Sequence, residues 1–243
     1  MIIFPAIDIK DGKVVRLFQG RFDQMTEYSD DPVATAKRWE DRGAEWLHVV
    51  DLDGALTGEM QNFDIITKIA REVEIPIQVG GGIRSKETIE KLFSDGVTRI
   101  VMGTKVIENR TFLMEVVHKW KERIIVSLDC SNGLLTQRGW TSMTNLKATV
   151  FAQEIENLGL HHLIYTDIAK DGVLQGPNFR GIEEILNSVS IPVIASGGIS
   201  SLEDLKRLRA LEPKGLIGAI TGKAIYEGKF DLKEAMNVCS QKG

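Results

Sequence analysis

The chain has 243 residues, with 30 basic and 34 acidic side chains, a formal net charge of −4 and 43% hydrophobic residues. Near-balanced charge gives no footing for nucleic acid or an anionic membrane, and no run approaches the ~20 apolar residues of a membrane span. The two cysteines, Cys130 and Cys239, form neither a CxxC nor a cluster with zinc spacing, so no metal site is expected.

From the N-terminus, MIIFPAIDIKDG is too short and too soon interrupted by Asp8 to be a signal segment, so a cytoplasmic protein with reduced thiols is expected. Residues 2–8 read as a strand ending in Asp8. A long loop, 9–32, follows and carries Arg16 and Arg21 around LFQG. A helix over 33–43 leads to a strand over 46–51, with His48 inside it and Asp51 at its end. A helix over 62–73 precedes strand 75–79 and the run Gly80, Gly81, Gly82. Ser85 caps a helix over 86–95, and strand 98–102 is followed by Gly103, Thr104 and Lys105. After a helix over 109–120, strand 123–129 ends in Asp129. A second long loop, 130–146, holds Arg138, Gly139 and Trp140. A helix over 147–158 leads to strand 161–166, which ends at Thr166 and Asp167. Helix 179–188, strand 191–195, Gly197 and Gly198 come next. Ser201, with Asp204 three residues on, opens a helix over 202–211. Strand 215–220, Gly222, Lys223 and a helix over 231–240 complete the chain.

Strict alternation of apolar strands with helices predicts a parallel sheet. Eight units in a chain near the roughly 250 residues of a (β/α)8 barrel favour that fold. An internal repeat supports it. IPIQVGGGIRS matches IPVIASGGISS with Pro76 and Pro192 116 positions apart, the same offset as Asp51 and Asp167. Asp8 to Asp129 is 121 positions and Gly103 to Gly222 is 119. One domain over 1–243, made of half-barrels near 1–122 and 123–243, is expected. Loops as long as 9–32 and 130–146 are usually functional, often lids.

Barrel sites lie at the C-terminal ends of the strands. Glycine turns there let the backbone approach a ligand, and their N–H groups cradle anions. Two matched pairs of such turns, one per half, fit an elongated ligand with a phosphate at each end. Asp8 and Asp129, closing symmetry-related strands, suit proton transfer on and off a sugar. Asp51 and Asp167 read mainly as loop organisers, and Asp53 and Asp171 as turn residues. His48 reads as a core or supporting histidine. Trp140 is a candidate stacking lid, and Arg16 a candidate anion contact.

The segments PAIDIKDGKVVRLFQG, YSDDP, HVVDLDGA, QVGGGIRS, VSLD, RGW, YTDIAKDGVLQGPN, IASGGISS and GAITGKAIYEG closely resemble a family of histidine-biosynthesis isomerases. These act on phosphoribosylformimino-5-aminoimidazole carboxamide ribotide (ProFAR). The resemblance covers essentially the whole chain. It implies a half-barrel duplication, a bisphosphorylated small-molecule substrate and no cofactor. In that likeness Asp8 matches the general base, Asp129 the general acid, and Thr166 a hydroxyl supporting acid and substrate. Gly81, Gly82, Gly103 and Thr104 match one phosphate site; Gly197, Gly198, Gly222 and Lys223 fall in the other. The chain departs from the family pattern at Lys105, where a small residue is common, and at Cys130, where alanine is frequent. The implied reaction is an Amadori rearrangement; separately, a monomer is expected. One alternative is a dual-substrate isomerase that also takes phosphoribosyl anthranilate; TSMTN (141–145) lacks the Gly-Gly-Asp resembling those enzymes. The other is a non-catalytic phosphate-ligand sensor, against which both retained carboxylates argue.

Overall fold

The computed structural model describes residues 1–103, 109–137 and 142–240. Its first strand, β1 (Ile2–Lys10), runs into a hairpin of β2 (Lys13–Phe18) and β3 (Arg21–Ser29), then helix α1 (Pro32–Asp41). Next come β4 (Leu47–Asp51), the short α2 (Leu52–Thr57), α3 (Phe63–Glu72), β5 (Ile77–Gly80), α4 (Lys86–Ser94), β6 (Arg99–Met102) and α5 (Arg110–Trp120). The second half runs β7 (Ile124–Ser131), β8 (Leu134–Gln137), β9 (Ser142–Lys147), α6 (Ala148–Asn157), β10 (Leu163–Asp167) and α7 (Phe179–Leu186). It ends with β11 (Val193–Ser196), α8 (Leu202–Arg209), β12 (Leu216–Thr221), α9 (Lys223–Tyr226) and α10 (Leu232–Ser240).

Parallel pairing runs β10, β11, β12, β1, β4, β5, β6, β7, and the β10–β7 pairing closes the ring. The fold is a (β/α)8 barrel. Its strands are apolar on both faces because both are buried. On β1, Ile3, Ile7 and Ile9 face the outer core beneath the helices, whereas Phe4 and Ala6 enter the inner core with Val101, Ile125, Ile164, Ile194 and Ile220. Each fully buried aliphatic side chain of this kind contributes about 1.5–3 kcal/mol. The same two-residue period puts Asp8 on the inner face, one layer above Ala6. The expected caps form: Ser85 accepts from the Thr88 N–H, and Ser201 and Asp204 make a reciprocal capping box.

The two long loops are where expectation and structure part. The described residues of 9–32 and 130–146 are largely strand. β1 continues past Asp8 to Lys10 and turns at Asp11–Gly12 into β2, which pairs antiparallel with it. β7 likewise continues past Asp129 and turns at Asn132–Gly133 into β8. Val14, Val15, Leu17 and Leu135 are buried in the process, so these segments have apolar surface to hide that a solvated loop would expose. Asp8 and Asp129 therefore sit within strands, at the level where the barrel ends and a hairpin begins.

Candidate active site

A cavity of about 440 Å³ opens at the C-terminal ends of the barrel strands. Asp8, Arg16, His48, Asp129, Thr166 and Asp171 are among its lining residues. β1 and β7 lie four strands apart in the ring of eight, so Asp8 and Asp129 face the cavity from opposite walls. Asp8 sits in register between Val50 of β4 and Val15 of β2. Asp129 pairs in register with Thr166 of the neighbouring β10, and Ser127 Oγ donates to Asp129 Oδ1 at 3.0 Å.

β2 delivers Arg16 into the same wall. Its Nη1 donates to Asp8 Oδ2 at 2.7 Å, and its Nη2 lies 3.9 Å from Asp171 Oδ1. Burial pushes the Asp8 carboxyl up to about 6, with Arg16 opposing and Asp171 adding to the rise. Burial also raises Asp171, again against Arg16. His48 is driven down to about 3 by burial and by Arg16, so its imidazole is neutral. Its Nδ1 meets the Gln78 side-chain amide at 2.9 Å inside the barrel.

The glycine turns form two matched sets. Gly81 and Gly82 after β5, and Gly197 and Gly198 after β11, all have positive φ. A Cβ on Gly81 would lie 2.1 Å from the Asp51 carbonyl oxygen, and one on Gly197 2.8 Å from the Asp167 carbonyl oxygen. These four glycines are thus required first by backbone conformation and by close packing on the neighbouring loop. Gly103 differs, because it lines the cavity and a Cβ there would meet nothing within 4 Å among the described residues. A smaller cavity joins Gly197, Gly198, Thr221, Gly222 and Lys223 to Arg16 and Asp171. Lys223 Nζ donates to the Gly172 carbonyl at 2.9 Å.

Asp51 and Asp167 act as loop organisers. Asp51 accepts from the N–H groups of Gly54, Gln61 and Asn62 and from Asn62 Nδ2. Asp167 accepts from the Ala169 N–H and Asn178 Nδ2. Thr104, Lys105, Arg138, Gly139 and Trp140 lie outside the described residues. Arg21 is exposed and paired with Asp23. One residue of the wall escaped the sequence reading. Asp171 stands in Lys-Asp-Gly, which reads as an ordinary turn, and only the β2 hairpin brings Arg16 to it. His48, read as a core or supporting residue, is hydrogen-bonded to Gln78 and also lines the cavity. Its place on the inner face of β4 follows from its register with Ala6. Among the described residues, no group of three or more His, Cys, Asp or Glu is arranged to hold a metal ion. No described helix is long and apolar enough to cross a membrane.

A closed (β/α)8 barrel with opposed carboxylates at its mouth and glycine turns on both sides has the layout of a barrel enzyme's active site. Residues 2–231 match the family described as histidine biosynthesis protein, and the chain belongs to that family. It is 48% identical over 239 residues to a protein of Clostridioides difficile (strain 630), covering 98% of each chain. It is 48% identical over 238 residues to one of Bacillus cereus (strain G9842), again over 98% of each. A Syntrophotalea carbinolica protein is 46% identical over 242 residues and 100% of both chains. All three are named as isomerases of an imidazole-4-carboxamide bearing two phosphoribosyl groups.

Proposed function

We propose that the chain catalyses the Amadori rearrangement of the aminoaldose ProFAR to the corresponding aminoketose in histidine biosynthesis, with Asp8 as base and Asp129 as acid. The observation that carries this reading is the placement of the two carboxylates on opposite walls of one cavity, with the first-half glycine turns lining it and the second-half turns lining the smaller cavity that shares Arg16 and Asp171. The relatives' shared name supplies the substrate class.

Asp129 protonates the ribose ring oxygen, and the ring opens as the C1–O bond breaks, leaving a protonated Schiff base. Asp8 then takes the C2 proton, and the electrons of that C–H bond form the enolamine, which tautomerises to the ketone. Both are proton transfers by positioned side chains, steps that general acid–base groups accelerate by about 10²–10⁴-fold. Asp171 competes with Asp129 for the acid role, because burial raises its carboxyl and favours the protonated form. Gly81, Gly82, Gly103 and Thr104 would hold one phosphate; Gly197, Gly198, Gly222 and Lys223 the other. Thr166 and Trp140 would contact the sugar and the heterocycle, and Arg16 the reacting end. The enzyme works as a single cytoplasmic domain over 1–243, as a monomer without a cofactor. Incubating purified protein with ProFAR tests the reading: aminoketose formation is expected, and none would overturn it.

A further inference from the structure

Arg16 stands where two functions meet. Its side chain is only 9% exposed and is carried by β2, not by the barrel itself. One edge of the guanidinium holds Asp8 through Nη1. The other edge lies over Gly222: a Cβ there would be 2.3 Å from Cζ, 2.3 Å from Nη2 and 2.7 Å from Nε. Among the described residues, Arg16 Nε and Thr221 Oγ1 are buried without a hydrogen-bond partner, and both residues line the same small cavity. Two buried polar groups without partners beside a glycine-lined turn are costly unless a ligand completes them. The ligand chemistry is that of an oxyanion, since a guanidinium, a hydroxyl and a lysine line the cavity against the single carboxylate of Asp171.

Resting on the phosphate reading above, we propose that Arg16 is a positioning residue that hands over between Asp8 and the phosphate bound at the second cradle. While the cradle is empty, the guanidinium holds one oxygen of the Asp8 carboxylate, Oδ2. A phosphate at Gly197, Gly198 and Gly222 gives Nε an acceptor and draws the fork off Asp8, so the base is released only when the correct end of the substrate is seated. Binding energy from a non-reacting phosphate is thereby used at the reacting carbon. The charged and titratable groups around this wall are Arg16 on β2, Asp171 after β10, His48 on β4, Tyr28 on β3, and Lys223 and Tyr226 on α9, with Asp129 across the cavity.

Sulfate tests this, because it stays dianionic across the titration range. Three NMR signals are followed in the wild-type protein: the Gly197 and Gly222 amides for cradle occupancy, the Arg16 Nε–H resonance, and the Asp8 carboxyl carbon against pH. Sulfate is expected to shift all three, with the Asp8 midpoint rising by about one unit or more as it loses a cation. Reciprocally, sulfate binds about tenfold more tightly at pH 5 than at pH 8. Occupied glycine amides with an unmoved Nε–H signal or an unmoved Asp8 midpoint would overturn the handover and leave the phosphate reading intact. Amides that stay unshifted at saturating sulfate would overturn the cradle and the handover with it. In Arg16→Lys, which keeps the charge but lacks Nε–H, the midpoint shift is expected to vanish. A shift of the same size there would assign the effect to direct repulsion and refute the handover.

Discussion

Burial lifts the Asp8 carboxyl to about 6, so below that pH the base carries its proton and turnover should fall. The sign for stability is opposite to that of a salt-bridged carboxylate. The folded chain holds this proton more tightly than the unfolded chain, so Asp8's contribution is greatest below pH 4 and is lost between about pH 4 and pH 6. A 13C titration of Asp8 should show the midpoint near 6, and Arg16→Met should move it higher, because Arg16 is the group that lowers it. Asp8→Asn should cut turnover by about 10²–10⁴-fold while phosphate binding persists. Asp129→Asn and Asp171→Asn separate the two candidate acids, because the true donor's variant loses the alkaline limb of the kcat–pH profile and the other variant keeps it. Among the glycines, Gly103→Ala is the clean probe: the protein should fold with unchanged Tm and show a raised KM. Gly81→Ala, forced against the Asp51 carbonyl at a positive φ, should lose stability first. Asp8 and Asp129 were legible because each ends an apolar run with a charge. Asp171 was not, since Lys-Asp-Gly reads equally well as a turn and its partner Arg16 arrives from 155 positions away.

The hairpins show what element-level reading missed. Asp11–Gly12 and Asn132–Gly133 have φ of 49° and 77°, and 51° and 76°, in two-residue turns joining Lys10 to Lys13 and Ser131 to Leu134. Asp-Gly and Asn-Gly between apolar runs are the strongest local hairpin signals, because both central residues need positive φ. The signal was in the sequence, but these runs are short and interrupted by Arg16 and Lys10, so they read as loop. The barrel strands and main helices were legible because their apolar periods are uninterrupted. The β1–β2 turn also sets where Arg16 points, since a one-residue slip of β2 would move it to the opposite face. Gly12→Ala should therefore cost about 1–2 kcal/mol from a left-handed φ alone, as its Cβ would find room at 3.5 Å from Ile65. Urea unfolding should show the lower midpoint, and kcat should fall as Arg16 loses its register. Wild-type values for both would mean that the turn does not hold the wall.

At the scale of the whole molecule, the sequence repeat reappears as matched hydrogen-bond networks. Asp51 with Asn62 and Asp167 with Asn178 do the same work in the two halves, and each Asn also caps or opens the helix that follows. Asn62→Ala and Asn178→Ala should each destabilise by about 1.5–3 kcal/mol, the scale of a hydrogen bond to a charged group. Calorimetry of the single and double variants should give additive losses, because the networks lie in separate loops. The repeat was readable as a common offset, whereas the side on which each network faces the cavity required the closed ring. That ring leaves the barrel strands no free edge. The hairpins create new ones: among the described residues β3 pairs only with β2, and β9 only with β8. An open strand edge invites another chain to add on, which makes it a seed for aggregation. β3 is mostly exposed and carries Arg21, Asp23 and Glu27 at intervals along its length. Those charges make the rim of the mouth a poor template for strand addition, although one edge of β3 has no described partner.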